Sequence, residues 1–221
     1  MTSPQLEIPA LTPGGSLAEQ VRDALLQAIR TGALPPGTRL REIPLSEHFG
    51  LSKTPVREGL RLLEADGVVQ VVPRRGAIVA SLAPAAVQHL YDFRLILEVA
   101  AARAAATSDE SGDRLRTLHR AMSRSLTEAD PTPFLQLDLE LHCEISRMGG
   151  NPELTEAIRR VQQRIQATRQ RVAVTARLKV AHRQHGELIA AINAADPDRA
   201  EVCITEHITS ACAHVMGELG A

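Results

Sequence analysis

LSEHFGLSKTPVR, Leu45–Arg57, sets two short segments with apolar stripes on either side of Gly50, and VVQVVPRRGAIV, Val68–Val79, follows as two β-rich runs about a Pro73–Gly76 tip. Two short helices joined by a glycine turn and followed by a hairpin with a basic tip predict a winged helix-turn-helix, a unit that lays its second helix in the DNA major groove. Pro44–Phe49 is the first helix of the pair. Ser52 can cap the second, with Pro55 tolerated in its first turn. Val56, Leu60 and Leu63 give that second helix its buried stripe, so Lys53, Arg57 and Arg61 project elsewhere.

Upstream, residues 1–15 carry Pro, Gly and Thr without periodicity and read as a flexible arm. Ser16-Leu-Ala-Glu19 is a capping-box pattern that opens a helix whose apolar residues, Leu17, Val21, Ala24, Leu25, Ala28 and Ile29, recur at helical spacing up to Gly32. The DNA-binding unit is therefore expected over 16–80. Beyond Pro84 the pattern is entirely helical. Helices are expected over Ala85–Thr107, Asp113–Glu128 and Thr132–Met148. Asn151-Pro152 and Asp196-Pro197 each place a capping side chain before a proline and so open two more. The run from Pro152 to Asn193 is too long for one ordinary helix and is divided near Leu178. The fold class is mostly α: a winged helix-turn-helix, then an all-α antiparallel bundle of about six helices over 84–221.

The chain has 221 residues, 44% of them apolar, but only 2% aromatic and with no Trp, so its core is aliphatic. Three irregularly spaced cysteines make no disulfide framework and suggest a reducing compartment. No signal peptide and no membrane-spanning run is recognisable, and a cytoplasmic location is expected. The net charge of −1 hides a small asymmetry: Ser16–Ala80 carries 9 Lys/Arg against 7 Asp/Glu, and Ser81–Ala221 carries 16 against 18. Phosphate contact depends on the face that displays positive charge rather than on such totals.

Ser52, Lys53, Thr54 and Arg57 lie near the start of the second helix, where hydroxyls and amides can hold a phosphate and long cations can reach base edges. Each cation taken alone could equally belong to a solvated helix face. In the helical half, Asp138 and His142 stand at i,i+4 and share a face. His185 and His207 lie on later helices beside Leu188, Ile189, Ile192, Ile204 and Ile208. One carboxylate and three neutral imidazoles suit a borderline divalent ion, zinc first, with nickel or manganese as alternatives. Spacing alone leaves open that these are hydrogen-bonded core histidines. His182, three residues from His185, and Cys203, one turn before His207, are competing ligands, whereas Cys143 and His214 suit packing or surface roles.

Leu34-Pro-Pro-Gly-Thr-Arg-Leu40, Leu45-Ser-Glu47, Leu51-Ser-Lys-Thr-Pro-Val-Arg-Glu58, Leu62-Leu-Glu64, Gly67 and Arg75-Gly76 together resemble the GntR-family DNA-binding domain. The resemblance implies DNA contacts from Ser52, Lys53, Thr54 and Arg57, with Arg61 on the same helix, and places the Arg75-Gly76 wing tip in or beside the minor groove. Lys53 departs from the family's usual Arg and lacks the bidentate fork. Arg94-Leu-Ile-Leu-Glu98, Asp138-x3-His142, Gly150-Asn151-Pro152, His185, Ile192, Asp196, Ala200 and His207 resemble, more loosely, the FCD effector domain of FadR-type regulators. That resemblance implies a metal held by Asp138, His142, His185 and His207, and a small effector, often a carboxylate, completing its shell. Arg94 is then the candidate partner for the effector's carboxylate, the alternative being an i,i+4 pair with Glu98.

The function expected is a ligand-responsive transcriptional regulator, a repressor and a homodimer, reading a palindromic double-stranded operator. A metal sensor without organic effector is the alternative. A metal-dependent hydrolase is a third reading, which the absence of HExxH and GxSxG patterns disfavours.

Overall fold

A computed structural model describes residues 8–72, 76–127, 131–168 and 174–218. The chain divides into two compact units, Met1–Leu82 with Gln163–Arg171, and Ala83–Gln162 with Val172–Ala221.

In the first unit, α1 (Leu17–Arg30) starts at the predicted capping box. Ser16 Oγ accepts from the Glu19 amide at 3.3 Å, and Glu19 Oε2 accepts from the Ser16 amide at 2.7 Å. The strand β1 (Arg39–Leu40) follows, then α2 (Glu42–Phe49) and α3 (Lys53–Ala65). Helix α2 begins two residues before the expected Pro44, because proline is compatible with the first turn of a helix and need not be its first residue. Ser52 occupies the N-cap of α3 in extended conformation but makes no side-chain capping bond, contrary to expectation. The hydroxyl is thus not committed to the helix that it precedes.

Helices α1 and α3 approach closely at Gly59, where a Cβ would stand 2.8 Å from Val21 Cγ1 and 2.9 Å from the Ala18 carbonyl oxygen. Val21, Leu25, Ile29, Leu45, Val56, Leu60 and Leu63 form the aliphatic core of this unit. Residues 8–15 carry no helix or strand, yet Ile8 is buried in that core and Leu11 packs on it. The described part of the expected flexible arm is therefore anchored, because two apolar side chains suffice to hold an irregular segment.

The wing consists of β2 (Val69–Val72) and β3 (Gly76–Val79), antiparallel, with Val69 opposite Val79 and Val72 opposite Gly76. Its tip, Pro73–Arg75, lies outside the described residues. The sequence reading omitted β1, which pairs antiparallel with β3 to give the order β1-β3-β2, with Arg39 opposite Ile78 and Leu40 opposite Ala77. Gly76 has φ +88°, and a Cβ there would fall 2.1 Å from the Leu40 carbonyl oxygen. Only glycine permits that crossing of wing and β1.

The second unit is helical: α4 (Pro84–Ala106), α5 (Asp113–Ser125), α6 (Thr132–Met148), α7 (Pro152–Thr168, of which Pro152–Gln162 belongs to this unit), α8 (Val174–Asn193) and α9 (Pro197–Glu218). Asn151 Oδ1 accepts from the amides of Glu153 and Leu154, and Asp196 Oδ1 accepts from that of Arg199, as the Asn-Pro and Asp-Pro pairs predicted. The division near Leu178 is corrected: α7 ends at Thr168, α8 begins at Val174, and Leu178 lies inside α8. No glycine or proline lies between Thr168 and Leu178, so periodicity had nothing with which to locate the break. Helix α4 packs on α6, α8 and α9. Among the described residues no helix is long and apolar enough to cross a membrane.

Candidate DNA-binding face and metal centre

Ser52, Lys53, Thr54, Arg57 and Arg61 all lie exposed on α3, because Val56, Gly59, Leu60 and Leu63 occupy its buried side. Lys53 and Arg57 line a concave surface together with Arg39, Arg41, Glu42 and Gly76. Arg39 and Arg41, which the sequence reading did not count among the DNA-contacting residues, put two further cations there. Their signal was the alternation of Thr38-Arg39-Leu40-Arg41, which a strand of two residues leaves too short to recognise. Gly76 lies at this surface, whereas Arg75 lies outside the described residues. Arg57 is not free: its Nε–H donates to Glu42 Oε1 at 2.9 Å and its Nη2–H to Glu42 Oε2 at 2.7 Å.

In the helical unit, Asp138 and His142 of α6, His185 of α8 and His207 of α9 are all buried, and one ligand atom from each lies within 4.8 Å of every other. Helix α6 buries Asp138 and His142 together with Phe134, Leu141 and Ile145, while Leu137 and Leu139 are only half-buried, so the two polar side chains lie on its inward face. His185 Nε2 stands 3.4 Å and His142 Nε2 3.9 Å from Asp138 Oδ1. Burial pushes His185 down to about 3, against the partial opposition of Asp138, and drives His207 well below its ordinary value. Both rings are therefore neutral and offer lone pairs.

Neither ring nitrogen of His185 has a hydrogen-bond partner, although the residue is 0% exposed. A buried imidazole left so is costly unless something else binds it. Ligands at zinc–nitrogen distances of about 2.0–2.1 Å stand roughly 3.3–3.4 Å apart in a tetrahedron, and roughly 2.8–3.0 Å (adjacent) or 4.0–4.2 Å (opposite) in an octahedron. Small side-chain adjustments would bring the four groups into those ranges, so the residues present fit a divalent ion.

A surrounding shell orients two of the rings. His142 Nδ1 stands 2.5 Å from Glu98 Oε2, and Glu98 Oε1 accepts from Arg94 Nε at 2.6 Å and from Gln162 Nε2 at 3.1 Å. Burial alone would raise the Glu98 carboxyl, but Arg94 and His142 outweigh it and hold the group at about 2. His207 Nδ1 stands 3.3 Å from Gln184 Oε1, which also accepts from Arg177 Nη1 at 3.4 Å. A ligating histidine commonly donates its second nitrogen to such a carboxylate or carbonyl, which fixes its tautomer. Sequence reasoning missed this orienting role for Glu98 and Gln184, since helical spacing does not show which ring a side chain meets.

Arg94 is 1% exposed and makes the intrahelical pair with Glu98 that was the alternative to a free effector anchor. It also directs Nη2 at His142 Nε2, 3.1 Å away. His182 is turned to other work: its ring stacks on His119 at 3.9 Å and 10°, and each Nε2 meets the other residue's carbonyl oxygen. Cys203 is buried but does not join the donor group, and burial pushes its thiol up. Cys143 is pushed up to about 11, chiefly by burial, and His214 pairs with Glu218 at 3.1 Å.

A three-helix unit with a β-hairpin wing and a basic face, joined to a helical bundle with a buried His/Asp cluster, defines a winged-helix transcriptional regulator. Residues 17–79 match the gntR family of bacterial regulatory proteins and residues 89–210 match the FCD domain, so the chain belongs to the GntR family in its FCD-bearing form. It is 29% identical over 210 residues, 93% of each chain, to the probable D-xylose utilization operon transcriptional repressor of Paenarthrobacter nicotinovorans. It is 35% identical over 124 residues to an uncharacterized HTH-type regulator of Agrobacterium vitis, covering 54% of this chain and 72% of that one. Its fold is shared with Escherichia coli McbR/YncC at a TM-score of 0.82 and 23% identity, over 94% of this chain and 100% of that one. The protein is thus a DNA-binding transcriptional regulator and not an enzyme.

Proposed function

We propose that this regulator is a homodimeric repressor of a two-fold symmetric operator, controlled by a small carboxylate that binds beside a divalent ion in the helical unit. The observation that carries the effector half is the meeting of Asp138, His142, His185 and His207 with both His185 nitrogens unpartnered. Those four residues would hold the ion, zinc before nickel or manganese on donor chemistry, and the ion would supply positive charge for an anionic ligand. Arg94 supplies the directional contact. Its Nη2 now donates toward the lone pair of His142 that an ion requires. With that lone pair engaged elsewhere, Nη2 is left as the donor that meets a carboxylate, while Nε stays on Glu98.

On the DNA side, Ser52, Lys53 and Thr54 hold backbone phosphates, Arg57 and Arg61 reach toward base edges, and Arg75-Gly76 approaches the neighbouring groove. The Paenarthrobacter relative, a probable repressor by name, supports the sign of control. Effector binding changes operator affinity only to the extent that it favours one conformation of the dimer over another.

A thermal-shift series on zinc-loaded protein with small mono- and dicarboxylic acids tests the effector site. At least one acid is expected to raise Tm in proportion to ln(1 + [L]/Kd) in the wild type and not in Asp138→Ala or Arg94→Gln. No stabilisation by any acid in a protein that does hold metal would contradict the organic effector and leave a metal-sensing regulator. On the DNA side, Arg57→Ala is expected to weaken operator binding at fixed salt, and unchanged affinity would remove α3 from the interface.

A further inference from the structure

Glu42, the first residue of α2, lines the same concave surface as Arg39, Arg41, Lys53 and Arg57. A carboxylate on a surface that approaches phosphates is repelled by them, so its place there needs a compensating role. Its partner is Arg57, fifteen residues on and in a different helix, so the pairing does not follow from helical periodicity. The Arg57 hydrogen bonds are the main reason that the Glu42 carboxyl lies below its usual range. The contact is side-on: Nε and Nη2 of Arg57 donate to Oε1 and Oε2 of Glu42.

A guanidinium has five N–H donors, and this fork uses two of them. The two on Nη1 and the outer one on Nη2 remain. One from each nitrogen gives a parallel pair along the outer edge of the group, the pattern that matches O6 and N7 of guanine in the major groove. A clamped side chain has already lost the rotamer freedom that a free one would lose on binding. The clamp also offsets the charge of Arg57, which lowers its attraction for phosphates of any sequence.

We propose that Glu42 determines specificity through Arg57, clamping the guanidinium side-on so that its outer edge reads one guanine in each half-site. This rests on the proposed reach of Arg57 to base edges.

The test is selection of DNA duplexes, randomised across the binding site, by the full-length wild type, Arg57→Ala and Glu42→Gln. The wild type is expected to enrich a guanine at one position per half-site, and Arg57→Ala to lose it. Glu42→Gln is expected to lose roughly 5-fold or more of the guanine preference at that same position. Its affinity for unselected DNA at the same salt should hold or rise, because a negative charge has gone. A misfolded variant would lose that affinity instead, so Glu42→Gln that weakens on all DNA equally would show a docking role for α2 on α3 and overturn the proposal. Loss of the guanine in Arg57→Ala but not in Glu42→Gln would overturn the clamp alone. If Arg57→Ala leaves every position unchanged, the base contact itself is wrong and the clamp falls with it.

Discussion

Burial holds the imidazole of His185 at about 3 and that of His207 well below its ordinary value, whereas both would titrate near 6.5 in an unfolded chain. Between those limits the unfolded state binds more protons than the folded one, so stability rises with pH. It is fully present above about 6.5 and is lost as pH falls toward 3, at about 1.4 kcal/mol per pH unit for each such histidine. Metal-free protein is therefore expected to show a falling Tm from near neutrality downward, and His185→Gln a flatter profile. Equal slopes in the two proteins would contradict a neutral buried His185. Glu98 acts one layer out, with Oε2 2.5 Å from Nδ1 of His142. Glu98→Gln keeps the shape but weakens the orienting acceptor, and should lower metal affinity by roughly 10- to 100-fold in a competition titration.

At the scale of elements, the wing depends on one backbone crossing. Gly76→Ala pushes a methyl into the Leu40 carbonyl and imposes φ +88° on an L side chain, so β1 and the wing must separate. A loss of about 1–3 kcal/mol is expected in denaturant unfolding, together with weaker DNA binding. Ser16→Ala removes half of the capping box of α1 and should cost about 1 kcal/mol.

The elements legible in the sequence are those that carry their own start and stop chemistry. Ser16 and Glu19, Asn151-Pro152 and Asp196-Pro197 mark helix starts by groups that bond locally, and the structure shows those bonds. The strand β1 is not legible, because two residues carry no period and their pairing with β3 is set by tertiary contact. The end of α7 is equally unmarked. In the candidate site, Asp138 and His142 announce their shared face by spacing. That His185 and His207 meet them came from resemblance, since convergence of three helices is a property of packing. The bonds of Glu98 to His142 and of Glu42 to Arg57 join different elements and leave no sequence trace.

For the whole molecule, a near-neutral chain binds DNA because cations are gathered on one face. Operator affinity should fall steeply with salt. Lys53→Ala should weaken binding about equally on all sequences and reduce the salt slope by about 1 per chain. A slope unchanged in that variant would place Lys53 away from phosphate. The effector half stands or falls on the ion. Titration of metal-free full-length protein with zinc, in the wild type and in His185→Ala, tests it most directly. The account predicts one tight site per chain in the wild type and its loss in the variant. No tight site in the wild type, or the same site retained without His185, would contradict a metal-centred sensor.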